Sequence, residues 1–552
     1  MKSLRRLCTG WNLILVLAFL TLLFLVVYPM FSILAASLLD NEGGGFSLEH
    51  YRKVFTARFY LRCLGNSLFV SGLATLCSVA VGAPFGYFLT RLRLPGAAWL
   101  RTLGVLPLIL PTFIGAEAWL MLLGRNGVLT RLLHDVGISF PGVHGWPGVV
   151  LVYTLQFFPF VFLMVSAALK SVDAALEEAA CNLGAGPWRV FSTVTLPVVT
   201  PAVAAGGLIV FFMSIENFGV PTIIGGGYKV LAEQAYSEFI SEMGGNPGRA
   251  GALSAILVFL CVAVTLVQKF WVERKNYAMS SLRPPAVRRV GPLATGAAWL
   301  FCAGLVFVSL APFAVVLVAA VTKTQGPVLY FGQFSLDNLA VALRIAPRPI
   351  LNTLASSTAA TVMGMVFGLA VSYLVVRRKG AAAYALDLAM MLPLVIAGSV
   401  LGIALAAAYN KPPVALTGTW MILVLAYFIR KTPFSIKTTS ALLQQIDVAV
   451  EEAAISLGSP PLWAFLKVVA PSMLPGVVAG AIIMWVTTLA ELSSTIVLYY
   501  GPWSTMTVQI FQYIGSGDFG QASAYGAILI LAVLAPLFLL DRVLGRDLAS
   551  AL

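Results

Sequence analysis

Charge is scarce in this 552-residue chain: Asp, Glu, Lys and Arg together make up 10% of it, against 59% for hydrophobic residues. A soluble domain carries roughly 25% charged residues, so these side chains cannot cover a water-facing surface and a soluble globular protein is excluded. Histidine is nearly missing; His50, His134 and His144 lie outside the apolar runs, and their spacing is not that of a metal-ligand set. No HExxH occurs, and no Ser/His/Asp arrangement on facing apolar runs, which argues against an intramembrane enzyme. Nor is there a GxxxxGK[ST] phosphate loop. The glycine-rich "IIGGGYKV" at 223–230 lacks its spacing and its Ser/Thr and reads as an external turn. The cysteines Cys8, Cys63, Cys77, Cys181, Cys261 and Cys302 show no paired spacing. That leaves no disulfide framework and no CxxC metal site, and makes them small core residues.

What fills the chain instead is apolar sequence in stretches of about 20 residues, the length that crosses about 30 Å of hydrocarbon. The alternating ten-residue strands of an outer-membrane barrel do not occur. The sequence predicts an all-α polytopic membrane protein of about 12 helices, near 12–38, 64–90, 100–124, 146–169, 197–219, 249–271, 293–321, 351–376, 385–409, 418–440, 472–494 and 521–541. The opening "MKSLRR" precedes an apolar run too long for a signal peptide, with no prompt cleavage site, and reads as a retained first span. The net charge of +13 comes from Lys and Arg scattered through short loops, which does not suit a nucleic-acid surface. With the N-terminus inside, cytoplasmic loops hold roughly 22 of these cations and outside loops roughly 12, as the positive-inside rule asks. Both termini are then cytoplasmic. Trp146, Trp299 and Trp420 near span ends fit interfacial anchors.

The chain is a repeat. "EEAACNLGAGPWRVFSTVTLP" at 177–197 returns as "EEAAISLGSPPLWAFLKVVAP" at 451–471, with 10 of 21 positions identical. Displaced by 274, Tyr153 meets Tyr427, Pro159 meets Pro433, Asp173 meets Asp447 and Gly184 meets Gly458; displaced by 286, Asn66 meets Asn352, Arg91 meets Arg377 and Pro107 meets Pro393. Six spans per repeat make the halves parallel, related by a pseudo-twofold along the membrane normal. Residues 1–271 form the first half with its polar loop near 170–197. A basic cytoplasmic linker occupies 272–292, and the second half, 293–552, has its loop near 437–471.

Within each loop the order of residues specifies a short helix. Asp173 and Asp447 suit N-caps, the Glu pairs sit in the first turns where the helix dipole favours carboxylates, and Gly184 and Gly458 suit the C-terminal stop. A helix of about ten residues results, with Pro187 and Pro460 opening the next helix and Pro197 and Pro471 marking return to the membrane.

That phrase, "EEAA…LG" with a spaced proline, resembles the EAA loop of permease subunits of binding-protein-dependent ABC importers, once in each half. The fused plan, with "ENFGVP" at 216–221 and "ELSSTIVLY" at 491–499, resembles ferric-iron permeases of the type I importer class. Fused permeases for thiamine, aminoethylphosphonate and sugar phosphates share it. The resemblance implies a type I importer transmembrane fold in a bacterial inner membrane. It also implies coupling positions at Glu178, Ala179, Ala180 and Gly184, and at Glu452, Ala453, Ala454 and Gly458. A homodimeric ATPase on the cytoplasmic face would bind ATP and Mg, and a periplasmic solute-binding protein would land on the outside loops 39–63, 125–145, 220–248 and 322–350. The chain itself is expected to carry no cofactor, no metal and no catalytic residue.

Candidates for the transport path are the polar groups inside spans, which are expensive in lipid and face a cavity or a partner. They are Glu117, Gln156, Glu216, Asn217, Arg430, Glu491, Ser493 and Ser494, with Lys431 beside Arg430. Two readings of Glu216 and Glu491 are open: an outer vestibule for a cationic substrate, or an interhelix ion pair. Arg430 and Lys431 could neutralise them, attract an anion or snorkel to the interface. Gln156 holds the place of Arg430 in the first half, so the halves are chemically unequal. A twelve-span ion-coupled secondary transporter is the rival of another class, and it would have no use for a repeated EAA loop.

Overall fold

A run of apolar residues in lipid must satisfy its own backbone amides, so each forms a helix. The computed structural model describes residues 10–39, 45–241, 246–267, 290–378 and 380–544, with 270 and 287. Most of the expected linker at 272–292, together with Cys8 and both chain ends, lies outside the described residues. Eight straight helices are long and apolar enough to cross a membrane: Trp11–Ser37, Arg58–Arg91, Trp146–Ser171, Trp188–Ile215, Pro247–Val267, Pro292–Ala319, Arg348–Arg377 and Phe519–Pro536. Three bent pairs bring the number to 11: Ala97–Leu108 with Thr112–Asp135, Ala381–Val395 with Gly398–Ala408, and Pro461–Leu474 with Gly476–Leu489. The remaining expected span, the tenth, is the helix Trp420–Leu443. It stands apart because Arg430, Lys431 and Lys437 lie along it. In order, these elements occupy the predicted positions of spans one to twelve.

Three of the expected straight spans are bent, the eleventh by 65° between Leu474 and Gly476 and two others more sharply. The third turns by 100° and the ninth by 101°. Leu110 is extended ahead of Pro111, as a proline demands of the residue before it. Ile396 and Ala397 are extended in the ninth without a proline there. A second correction concerns spans five and eleven, which start before Pro197 and Pro471. Each proline follows a single wide turn, Phe191–Thr195 or Phe465–Val469. Proline lacks the amide that would close the ordinary turn and its ring crowds the carbonyl four residues back, so the helix widens there and continues. Pro461, rather than Pro460, opens the helix after the second loop.

Spans two, four and five pack together, as do eight, ten and eleven, so the same triad is built twice. Close backbone approach makes this packing possible without a hydrophobic drive between helices. Where spans two and four cross, a Cβ on Gly82 would lie 2.6 Å from the Phe158 carbonyl oxygen and 3.0 Å from the Val161 Cβ. The repeat-related Gly368 stands against Ser435 at the crossing of eight and ten. The fourth span is 78% buried and the first only 28%, which puts one at the centre and the other at the lipid.

The halves are interlocked. Span one packs on the second limb of span nine, and span seven on the second limb of span three. Trp11 stacks on Tyr373 at 3.9 Å between centroids and meets Phe465 edge-on at 5.1 Å. The Tyr409 hydroxyl donates to the Phe24 carbonyl. One departure from an all-helical chain is the antiparallel hairpin Thr322–Gln325 with Val328–Phe334 after span seven, whose turn uses Gly326 at φ +56°.

Candidate functional sites: two capped helices and a buried charge cluster

Each polar loop folds into the predicted short helix, Ala174–Asn182 in the first half and Val448–Ser456 in the second. Asp173 accepts from the Ala175 amide and Asp447 from the Ala449 amide, both at 3.0 Å. At the other end Gly184 and Gly458 adopt φ +82° and +93°. The following amides of Ala185 and Ser459 close back on the Ala180 and Ala454 carbonyls at 3.0 and 3.1 Å, the glycine-stopped helix end that satisfies orphan carbonyls. Glu178, Ala179, Glu452 and Ala453 are exposed, while Ala180 and Ala454 are partly covered. Leu183 and Leu457 at the tips are 89% and 90% exposed. Cys181 is exposed too, and Cys77 is partly exposed, so neither is the buried core residue expected of it.

The first Glu of each pair behaves otherwise. Glu177 is buried against Arg91, with Nη2 2.9 Å from its Oε1, and the Thr195 hydroxyl donates to the same oxygen at 2.9 Å. Glu451 is buried against Arg377, 3.8 Å away, and accepts from the Tyr373 hydroxyl. These partners were not among the sequence candidates. The repetition of Arg91 at Arg377 was the signal that pointed to them.

The second site joins the two halves inside the membrane. Arg430 Nη2 lies 3.2 Å from Glu216 Oε2, and Nη1 lies 3.6 Å from Glu491 Oε1. Lys431 Nζ lies 2.8 Å from Glu491 Oε2. Two carboxylates thus face two cations across the seam between the halves. The carboxylates sit at matching breaks: span five ends at Ile215 and span eleven at Leu489, and short helices Gly219–Ile224 and Thr495–Leu498 follow. Glu491 Oε1 accepts from the Ser494 amide and hydroxyl, both at 3.3 Å. Asn217, its counterpart, accepts from the Val220 amide at 3.1 Å. Arg430 reaches this point across the bend of span nine. A Cβ on Gly398 would collide with its guanidinium and come within 2.8 Å of the Ser493 Cβ.

Residues 82–276 and 360–546 each match the family described as "Binding-protein-dependent transport system inner membrane component". The chain belongs to that family. The permease is 27% identical over 541 residues to the ferric transport system permease protein FbpB of Actinobacillus pleuropneumoniae, covering 95% of this chain and 77% of that protein. It is 36% identical over 213 residues to the molybdenum transport system permease protein ModB of Escherichia coli strain K12, covering 38% of this chain and 91% of that one. The crystal structure of a bacterial ABC transporter involved in the import of the acidic polysaccharide alginate covers 50% of this chain and 99% of that chain at 20% identity, with a TM-score of 0.42. Membership makes the permease a membrane-spanning transport subunit of an ABC importer and sets aside the secondary transporter.

The other candidates in the permease are dispersed. Gln156 donates to the Leu110 carbonyl at 2.7 Å and to the Pro107 carbonyl, so it clamps the bend of span three just as Arg430 overlies that of span nine. Asn217 donates to Thr112 at 3.1 Å. Glu117 is wholly buried elsewhere, accepting from Ser523 at 3.1 Å with its second oxygen unpartnered. His50 is buried against the Leu39 carbonyl at 3.1 Å. Burial and the neighbouring Arg125 hold the His144 imidazole below its usual pKa. Among the described residues no three His, Cys, Asp or Glu side chains converge as metal ligands.

Proposed function

We propose that the permease carries ferric iron inward, driven by a homodimeric ATPase that seats on its two capped helices from the cytoplasm and binds ATP and Mg there. The observation that carries this reading is the pair of nine-residue helices, each capped at both ends and each presenting an exposed leucine at its tip. Related by the pseudo-twofold, they offer two like plugs to a symmetric partner. Glu178, Ala179, Ala180 and Gly184, with Glu452, Ala453, Ala454 and Gly458, form the docking faces. A solute-binding protein docks on the opposite side, with loops 125–145 and 322–350 in its footprint. The ferric cargo is supported by a ferric transport permease that aligns along 95% of the chain. The Glu216–Arg430–Glu491–Lys431 cluster is the seam between the halves, and much of the cargo choice rests with the binding protein.

The test reconstitutes the permease in lipid nanodiscs with its ATPase and binding protein. ATP hydrolysis is compared with the binding protein loaded with Fe(III), aminoethylphosphonate, thiamine or a sugar phosphate. Stimulation by the Fe(III) form, lost when Glu178→Ala and Glu452→Ala are combined, is the expected result. Stimulation by another loaded form reassigns the cargo, and stimulation that survives both substitutions removes the docking assignment.

A further inference from the structure

In both halves the Glu pair is divided between two tasks. Glu178 and Glu452 lie on the free face, while Glu177 and Glu451 point inward and are 8% and 5% exposed. Arg91 and Arg377, their partners, are the last helical residues of spans two and eight. Arg91 grips Glu177 with both terminal nitrogens, at 2.9 and 3.4 Å. Thr195, in the wide turn that opens span five, holds the same carboxylate. One side chain therefore joins the short helix to two spans. In the second half Arg377 also donates to the Ile446 carbonyl at 2.8 Å, just ahead of the Asp447 cap, and Tyr373 on span eight holds Glu451.

We propose that Glu177 and Glu451 are positioning residues for transport: struts that carry displacement of the short helices into spans two and eight. The proposal rests on the reading that these helices receive the ATPase. A helix of nine residues is about 14 Å long and, capped at both ends, moves as one body. Its chain connections to the spans are short turns, which bend when pushed. In the first half a bidentate, charge-assisted contact under the helix has fixed geometry and does not; in the second the Tyr373 hydroxyl bond to Glu451 takes that part, beside a looser approach of Arg377. Packed and charge-paired contacts of this kind carry energetic coupling between distant sites. The struts are unequal, a 2.9 Å pair reinforced by threonine against a 3.8 Å pair reinforced by tyrosine. The first half is accordingly the stiffer lever.

The test uses the complete importer in nanodiscs and reads three quantities: retention of the ATPase on the permease, ATP hydrolysis, and substrate moved per ATP. Glu177→Gln with Glu451→Gln is expected to retain the ATPase and at least half of the hydrolysis while substrate per ATP falls about tenfold. Glu177→Gln alone should lose more than Glu451→Gln alone. Because a buried arginine without its carboxylate risks misfolding, the exchange Arg91→Glu with Glu177→Arg is made as well. It should restore substrate per ATP above either single change. An unchanged ratio in the double glutamine variant overturns the proposal, as does loss of ATPase binding in step with transport, which would make both residues simple folding contacts. An exchange no better than its parts overturns it too. A wild-type permease that retains no ATPase removes the docking reading, and the struts with it; a coupled wild type with unaffected variants removes the struts alone.

Discussion

Arg430 shows how much one side chain can hold. It contacts Glu216 from the other half and Glu491 from its own, and it overlies the bend at Gly398. Removing one member of a buried pair leaves a charge uncompensated, which costs about 3–5 kcal/mol. Arg430→Met is therefore expected to lower the thermal unfolding midpoint of the detergent-solubilised permease by several degrees. Adding Glu216→Gln should recover part of that loss, because the double change removes an orphaned carboxylate; a double variant less stable than the single one contradicts the pairing. A gentler case is Gly458. A Cβ there meets nothing within 4 Å, so the left-handed backbone alone sets the penalty, on the order of 1–2 kcal/mol. Gly458→Ala should speed amide exchange over residues 448–459, and Gly458→Asn should do so less. The sequence made the intramembrane charges and the helix stops legible, since a carboxylate in lipid and a glycine at a helix end are local signals. It offered an ion pair as one of two readings of Glu216 and left the choice open, because spacing carries no distance between halves and Arg430 stands 214 positions away. Arg91 with Glu177 escaped within a single half, because the 86 positions between them do not say which span end lies beside the short helix, although both residues lie in repeated stretches.

At the level of elements, proline and glycine decide where helices bend and where they touch. The break at Leu110–Pro111 is written in the chain, and the break at Ile396–Ala397 is not. The second depends on tertiary contacts, with the Arg430 guanidinium occupying the space over Gly398. Wide turns before Pro197 and Pro471 likewise replaced the expected helix starts, because a helix can absorb a missing amide by widening instead of stopping. Gly82 offers a direct check on packing. Gly82→Ala puts a methyl 2.6 Å from a backbone oxygen, and overpacking of this kind costs about 1–3 kcal/mol. Gly72→Ala, on the same helix with open space around it, should be neutral or stabilising by up to about 1 kcal/mol. Unfolding of the two variants in parallel separates close approach from helix propensity, and equal destabilisation would contradict the crossing described here.

For the whole molecule, the twofold plan was readable from the 274- and 286-residue displacements, but the interlock was not. Each half lends its first span to the other, so neither is a self-contained bundle. Two polypeptides ending and starting between Val267 and Pro292 should therefore reassemble when produced together, and should co-purify through a tag on one of them. Each produced alone should be degraded, since spans three and nine would lose their covering helices. A first half that is stable and monodisperse alone would contradict the interlock.

The charge cluster has a consequence for how such a transporter can be encoded. At the 274 displacement, Arg430 and Lys431 answer to Gln156 and Phe157, and Glu491 to Asn217. A transporter assembled from two copies of the first half would bury two Glu216 carboxylates with no cation to meet them. Two copies of the second half would bury four cations against two carboxylates. Only one of each is electrically balanced. A single reading frame guarantees that ratio at every round of translation, and no assembly step has to select the mixed pair over its twins.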